Sequence, residues 1–101
     1  MEKFKPHYDL AQIQAKVAEL GVASFTKTAL DGGRAMGLTT GEMPSVIAGL
    51  GPANFYKSMT TLADHRVWQD VFHAQTQAGK EAYIKVTMRE DGPPIIQFKE
   101  K

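Results

Sequence analysis

No connection in the second half of this chain is long enough to hold a crossover helix. Four stretches suited to extended structure, Phe55–Thr61, Arg66–His73, Ala82–Arg89 and Ile95–Lys99, are joined by Leu62–His65, Ala74–Glu81 and Glu90–Pro94, with Gly79 and Gly92 placed for turns. Parallel neighbours need a connection of roughly a dozen residues or more, whereas antiparallel ones are joined by tight links. The spacing therefore predicts an antiparallel meander. Its centre is Asn54–Asp70, NFYKSMTTLADHRVWQD, mostly β-branched, aromatic or otherwise suited to a pleated, half-buried surface. Lys57 and Gln69 sit inside the strands rather than in the loop. Such residues in mid-strand point into water, onto a partner or onto a ligand.

The first half reads as helical. Residues 1–7 are polar, carry Pro6 and are expected to be a loose lead-in. Asp9, with Gln12 three residues on, has the form of a helix cap, and Leu10, Ile13, Val17 and Leu20 repeat at helical spacing up to Gly21. Val22–Phe25 is expected as a short strand. Thr26 caps a second helix through Met36, weakened by Gly32 and Gly33. Thr39 and Glu42 form another capping pair before a short helix through Ser45–Leu50, with Pro44 tolerated in its first turn. Helices precede strands, which predicts an α+β fold with N-terminal helices packed on a C-terminal antiparallel β-sheet. The chain of 101 residues fits one domain, 1–101.

Side chains alternate between the faces of a strand. Ile84, Val86 and Met88, Ile96 and Phe98, and Trp68 and Phe72 are assigned to the core under the helices. The open face then carries Tyr83, Lys85, Thr87 and Arg89; Gln97 and Lys99; and Gln69 and His73. In the first strand Lys57 joins this face if Tyr56 points to the core. Glu81, at the margin, is the one carboxylate expected there. A chain of net charge +1 can thus gather a local basic surface suited to phosphate and single-stranded nucleic acid. Charges on an open sheet face also serve solubility alone.

The absence of cysteine excludes disulfides, thiol nucleophiles and cysteine-ligated zinc, and fits a reducing, cytoplasmic compartment. The amino terminus lacks the apolar region of a signal peptide, and no run suits a membrane span. His7, His65 and His73 are too scattered to read as metal ligands. Gly32-Gly33 lacks the context of a phosphate-binding loop. RNA cleavage remains open, because the ribose 2′-hydroxyl supplies the nucleophile. The protein then needs a base, cations on the phosphate and an acid for the leaving oxygen. Lys57, Lys99 and Tyr83 can share these roles, with Gln69 orienting by hydrogen bonds. A silent RNA- or protein-binding module and a structural subunit fit the same residues.

The segment FYKSMTT…DH…WQDV, with the terminal FKEK, resembles the MqsR (motility quorum-sensing regulator) toxins of bacterial type II toxin–antitoxin systems. The likeness runs from Lys5-Pro6-His7 to the carboxyl terminus. It implies a fold similar to the RelE ribonuclease toxins. It implies a cofactor-free, metal-independent endoribonuclease that cuts messenger RNA at short GCU-type sites and inhibits translation. It also implies silencing by an MqsA-like antitoxin carrying zinc-binding and helix-turn-helix domains, through which alone the toxin meets DNA. The family's functional positions fall on Lys57, Gln69, Tyr83 and Lys99, and His7 and Tyr56 match further ones. Lys85, Arg89 and His73 complete the expected RNA-contacting set. Phe72 departs from the family, where WQDV is commonly followed by Tyr, and the links Ala74–Lys80 and Glu90–Pro94 also look different.

Overall fold

The computed structural model describes residues 1–101. In chain order it contains β1 (Glu2–Lys3), α1 (Leu10–Leu20), α2 (Lys27–Ala35), α3 (Glu42–Ala48), β2 (Phe55–Thr60), β3 (Trp68–Gln75), β4 (Glu81–Thr87) and β5 (Ile95–Glu100). The five strands form one antiparallel sheet in the order β1-β2-β3-β4-β5. The architecture is α+β, with helices N-terminal and the sheet C-terminal apart from the two residues of β1.

Two of the three caps expected from the sequence form, those of Asp9 and Thr26. Asp9 accepts from the Ala11 amide at 2.9 Å, although the Gln12 side chain does not reciprocate. Thr26 accepts from the Ala29 amide at 3.0 Å. Each satisfies amide groups that a helix start leaves without partners. Thr39 and Glu42 exchange hydrogen bonds of 2.8 and 3.2 Å, but these close the turn before α3, whose own cap position, Gly41, carries no side-chain bond. Gly21, with φ of 59°, ends α1 in a conformation that residues with a Cβ rarely adopt. Ile13 and Val17 of α1, Met43 and Ile47 of α3, and Phe72, Ile84, Val86, Ile96 and Phe98 of the sheet meet in one buried cluster. The Gln14 carboxamide donates to the carbonyls of Ile47, Ala48 and Leu50 and so ties α1 to the end of α3.

Three other expectations change. Val22–Phe25 is not a strand: Gly21–Ser24 is a 3-10 turn, and only Phe25 bridges to Ile96. The reversal at Gly21 and the cap at Thr26 leave no room for a longer extended run. The lead-in is ordered. Glu2 and Lys3 pair with Met59 and Ser58, and the Thr60 amide donates to the Met1 carbonyl at 2.9 Å. The amides of His7 and Tyr8 then donate to the carboxylate of Asp70 at 2.9–3.1 Å. Asp70 is 0% exposed, and a buried carboxylate is tolerated only with such donors. Finally, β4 ends at Thr87, so Arg89 lies outside the strand.

The two glycines that weaken α2 have a packing reason. A Cβ on Gly32 would stand 2.2 Å from the Phe98 carbonyl oxygen, and one on Gly33 would stand 2.3 Å from the Met43 sulfur. The helix therefore lies directly against β5. Propensity alone says that Gly32→Ala gains about 1 kcal/mol. The clash with backbone reverses the sign, and the expected outcome is a loss of about 1–3 kcal/mol in urea melts. A gain in stability would contradict this packing.

Candidate functional site

The open face of the sheet is organised by a bulge. Phe55 pairs with Phe72 and Lys57 with Val71, so β2 carries one extra residue, Tyr56, against β3. A bulge breaks the alternation of faces. Phe55 therefore packs on the core while Tyr56 and Lys57 both turn to the open side. The condition set for Lys57, that Tyr56 face the core, is corrected: Tyr56 is 48% exposed and shares the face with Lys57.

Four side chains then follow across the strands from Tyr56. The Tyr56 and His73 rings stack at 4.6 Å, and the His73 and Tyr83 rings lie 5.4 Å apart. Lys99 pairs with Tyr83 across β4–β5 and holds its ammonium 5.4 Å from the Tyr83 ring. At the near end the Lys57 ammonium lies 5.3 Å from the Tyr56 ring. Cations over aromatic faces are attracted by the ring quadrupole. A second row runs Lys57, Val71, Lys85, Gln97. Val71 is 0% exposed but lies on the open face, so its neighbours' long side chains make an apolar floor for the site. Gln69 pairs with Met59 on the same face, two residues or about 7 Å along β3 from the Val71 row. Lys57, Gln69, Tyr83 and Lys99 thus share one face of the sheet, opposite the buried core, and the start of α2 borders it at the Tyr83–Lys99 end.

Two expected members lie elsewhere. The His7 ring stacks on Trp68 at 5.3 Å, and the Lys3 ammonium sits 4.3 Å from the Trp68 ring and 2.8 Å from His7 Nδ1. Trp68 shares its parity with Asp70 and Phe72, so this group covers the helix side of the sheet. The Arg89 guanidinium donates to the Pro93 carbonyl at 2.8 Å and braces the β4–β5 loop. Sequence reasoning missed Glu2, whose carboxylate accepts from the Lys57 ammonium at 2.5 Å. A two-residue strand leaves no periodic signal.

Electrostatics separates the side chains by role. The hydrogen bond to Glu2 raises the Lys57 pKa above its ordinary value, outweighing the opposing effect of partial burial. Lys57 is therefore held as a cation, suited to a phosphate oxygen rather than to taking a proton. His73 is pushed the other way, first by burial and then by the positive charge of Lys101, with Glu81 opposing. It is neutral at physiological pH, and its Nε2 is buried without a partner. Asn54 donates to the His73 carbonyl at 3.0 Å and fixes the strand there. The arrangement offers cations, a phenol and amide groups on one face, groups able to stabilise phosphate charge and to move a proton.

Comparison with known proteins gives the family. Residues 5–100 match the family described as motility quorum-sensing regulator, toxin of MqsA. The chain is 42% identical over 101 residues, the full length of both, to a protein of Escherichia coli (strain K12) named mRNA interferase toxin MqsR.

The lowered pKa of His73 has a consequence for stability. The unfolded chain takes up the proton more readily than the folded one, so this contribution is complete above about pH 6.5. It is lost as the pH falls below that value towards the folded pKa. Thermal melts between about pH 7.5 and about pH 5.5 should show a fall in Tm that is smaller in His73→Gln than in the parent. Equal falls would assign the effect to other groups.

Proposed function

The chain belongs to the MqsR toxin family, and on that footing we propose that it is a messenger-RNA endoribonuclease that acts without a metal and is neutralised by a cognate antitoxin. The observation that carries the reading is the common orientation of Lys57, Gln69, Tyr83 and Lys99, on the face left open by the helices. No helix is long and apolar enough to cross a membrane. On the family resemblance the proposal extends to cutting at GCU-type sites, an MqsA-like antitoxin with zinc-binding and helix-turn-helix domains, and a cytoplasmic location.

In this reading the 2′-hydroxyl attacks the adjacent phosphorus and gives up its proton. The bond to the 5′-oxygen breaks, and that oxygen takes a proton. The products are a 2′,3′-cyclic phosphate and a 5′-hydroxyl. Lys57, kept charged by Glu2, meets the phosphate, so RNA exchanges one anionic partner for another. Lys99 supplies a second cation. Tyr83, between His73 and Lys99, is placed to move a proton, and Gln69 orients by hydrogen bonds. Tyr56 and neutral His73 offer ring faces to bases, and Lys85 offers a backbone contact. His7 and Arg89 reach RNA only if the strand extends past this face.

Purified protein should cut messenger RNA in excess EDTA and leave cyclic or 3′-phosphate ends, read by end-specific labelling. Lys57→Ala should lower kcat by about a hundred- to a thousandfold, as loss of one charge-stabilising donor does elsewhere. Cleavage abolished by EDTA would overturn the metal-free mechanism. RNA left whole but bound would favour a non-catalytic binding module on the same face.

A further inference from the structure

A cavity of about 310 Å³ opens between the start of α2 and the end of the open face. Its walls include Thr28, Tyr83, Lys85, Gln97 and Lys99, over a floor containing Phe98. Such a volume lies at the lower end of the range for small-ligand pockets, which suits a single nucleotide rather than a longer segment. The chemistry of the lining is one-sided. It contains two ammonium groups and no carboxylate. The nearby acids are engaged elsewhere: Glu81 pairs with Lys101 at 3.3 Å and Glu100 with Lys80 at 3.5 Å. Lys85 and Lys99 form no ion pair, in contrast to Lys57, which Glu2 already holds. Gln97 and Thr28 are exposed and make no side-chain hydrogen bond within the protein. Their amide and hydroxyl groups both donate and accept, which is the equipment for reading a base edge.

The cavity shares Tyr83 and Lys99 with the reactive row. An RNA strand whose scissile phosphate lies on that row therefore carries a neighbouring nucleotide into the cavity. Building on the ribonuclease reading, we propose that this cavity is a base-selecting subsite. In it Lys85 holds the flanking phosphate and Gln97 with Thr28 reads the base next to the cut. The subsite makes sequence selection separable from bond breaking. Lys57 and Gln69 stand outside the cavity and act on the phosphate, whereas Gln97 and Thr28 touch only what flanks it.

The test uses the full chain and short RNAs in which each base is varied at each position around the cut. Gln97→Ala and Thr28→Val should each relax preference at one position adjoining the scissile bond. Loss of a two-point base contact lowers discrimination roughly 5- to 150-fold. Preference at other positions should persist. Lys85→Ala should raise KM with little change in kcat and a shallower salt dependence. If the parent cuts RNA and both Gln97→Ala and Thr28→Val keep its preference, or lose rate equally on every sequence, the subsite is refuted while the nuclease stands. If the parent cuts no RNA, both readings fall together. Both substituted positions are exposed, and matched melting curves show that any change is not one of folding.

Discussion

Between Phe55 and Lys57 the chain carries one residue more than the strand it pairs with. Without it, alternation would put Phe55 and Lys57 on the same face. Either an ammonium would be driven under the helices or a phenylalanine would be left in water. The bulge removes the conflict. Phe55 reaches the core, and Tyr56 and Lys57 both reach the open side. The contact of Tyr56 with His73, and of His73 with Tyr83, depends on that local break in the ladder. Asn54 holds the neighbouring backbone through the His73 carbonyl and the Gly51 amide, which gives the bulge a fixed entry.

The N-terminal segment links the two faces. Its later residues, His7 and Tyr8, are tied by their amides to buried Asp70 on the helix side. Its earlier residue Glu2 lies beside Met59 and reaches Lys57 on the open side. Tyr8 adds a hydrogen bond to the Trp68 carbonyl, and its own pKa is raised chiefly by burial and then by the nearby Asp70 charge. A charge as deeply placed as Asp70 is costly without donors, so the strap and the carboxylate require each other. The segment that completes the fold on one side therefore also holds the Lys57 ammonium on the other.

Much of this was legible in the residues. The caps at Asp9 and Thr26 are local chemistry, and local chemistry does not wait on tertiary structure. The meander followed from short links, and the sharing of a face by Tyr83, Lys85, Gln97 and Lys99 followed from strand period. What escaped depends on contacts distant in sequence. A two-residue strand is stabilised by its partner, not by its own pattern. The bulge has no glycine to announce it. The value of Gly32 is visible only when the Phe98 carbonyl is seen against it. His7 and Arg89 matched the expected chemistry, but parity says nothing of residues outside a strand.

The distribution of charge accounts for how a chain of net charge +1 can act on a polyanion. Long-range steering scales with overall charge and fades beyond a Debye length of about 8 Å in physiological salt. This chain has little of it. Lys85 and Lys99 instead line a cavity that holds no carboxylate. Elsewhere the lysines are largely compensated: Lys57 by Glu2, Lys80 by Glu100 and Lys101 by Glu81. Non-specific adhesion to nucleic acid, which grows with the number of phosphates neutralised, is thereby kept small. In the proposed site, free cations, ring faces and hydrogen-bonding side chains coincide. Compensating most lysines and freeing a few is thus the electrostatic counterpart of a narrow site, because discrimination between sequences survives only when contacts indifferent to sequence do not dominate binding.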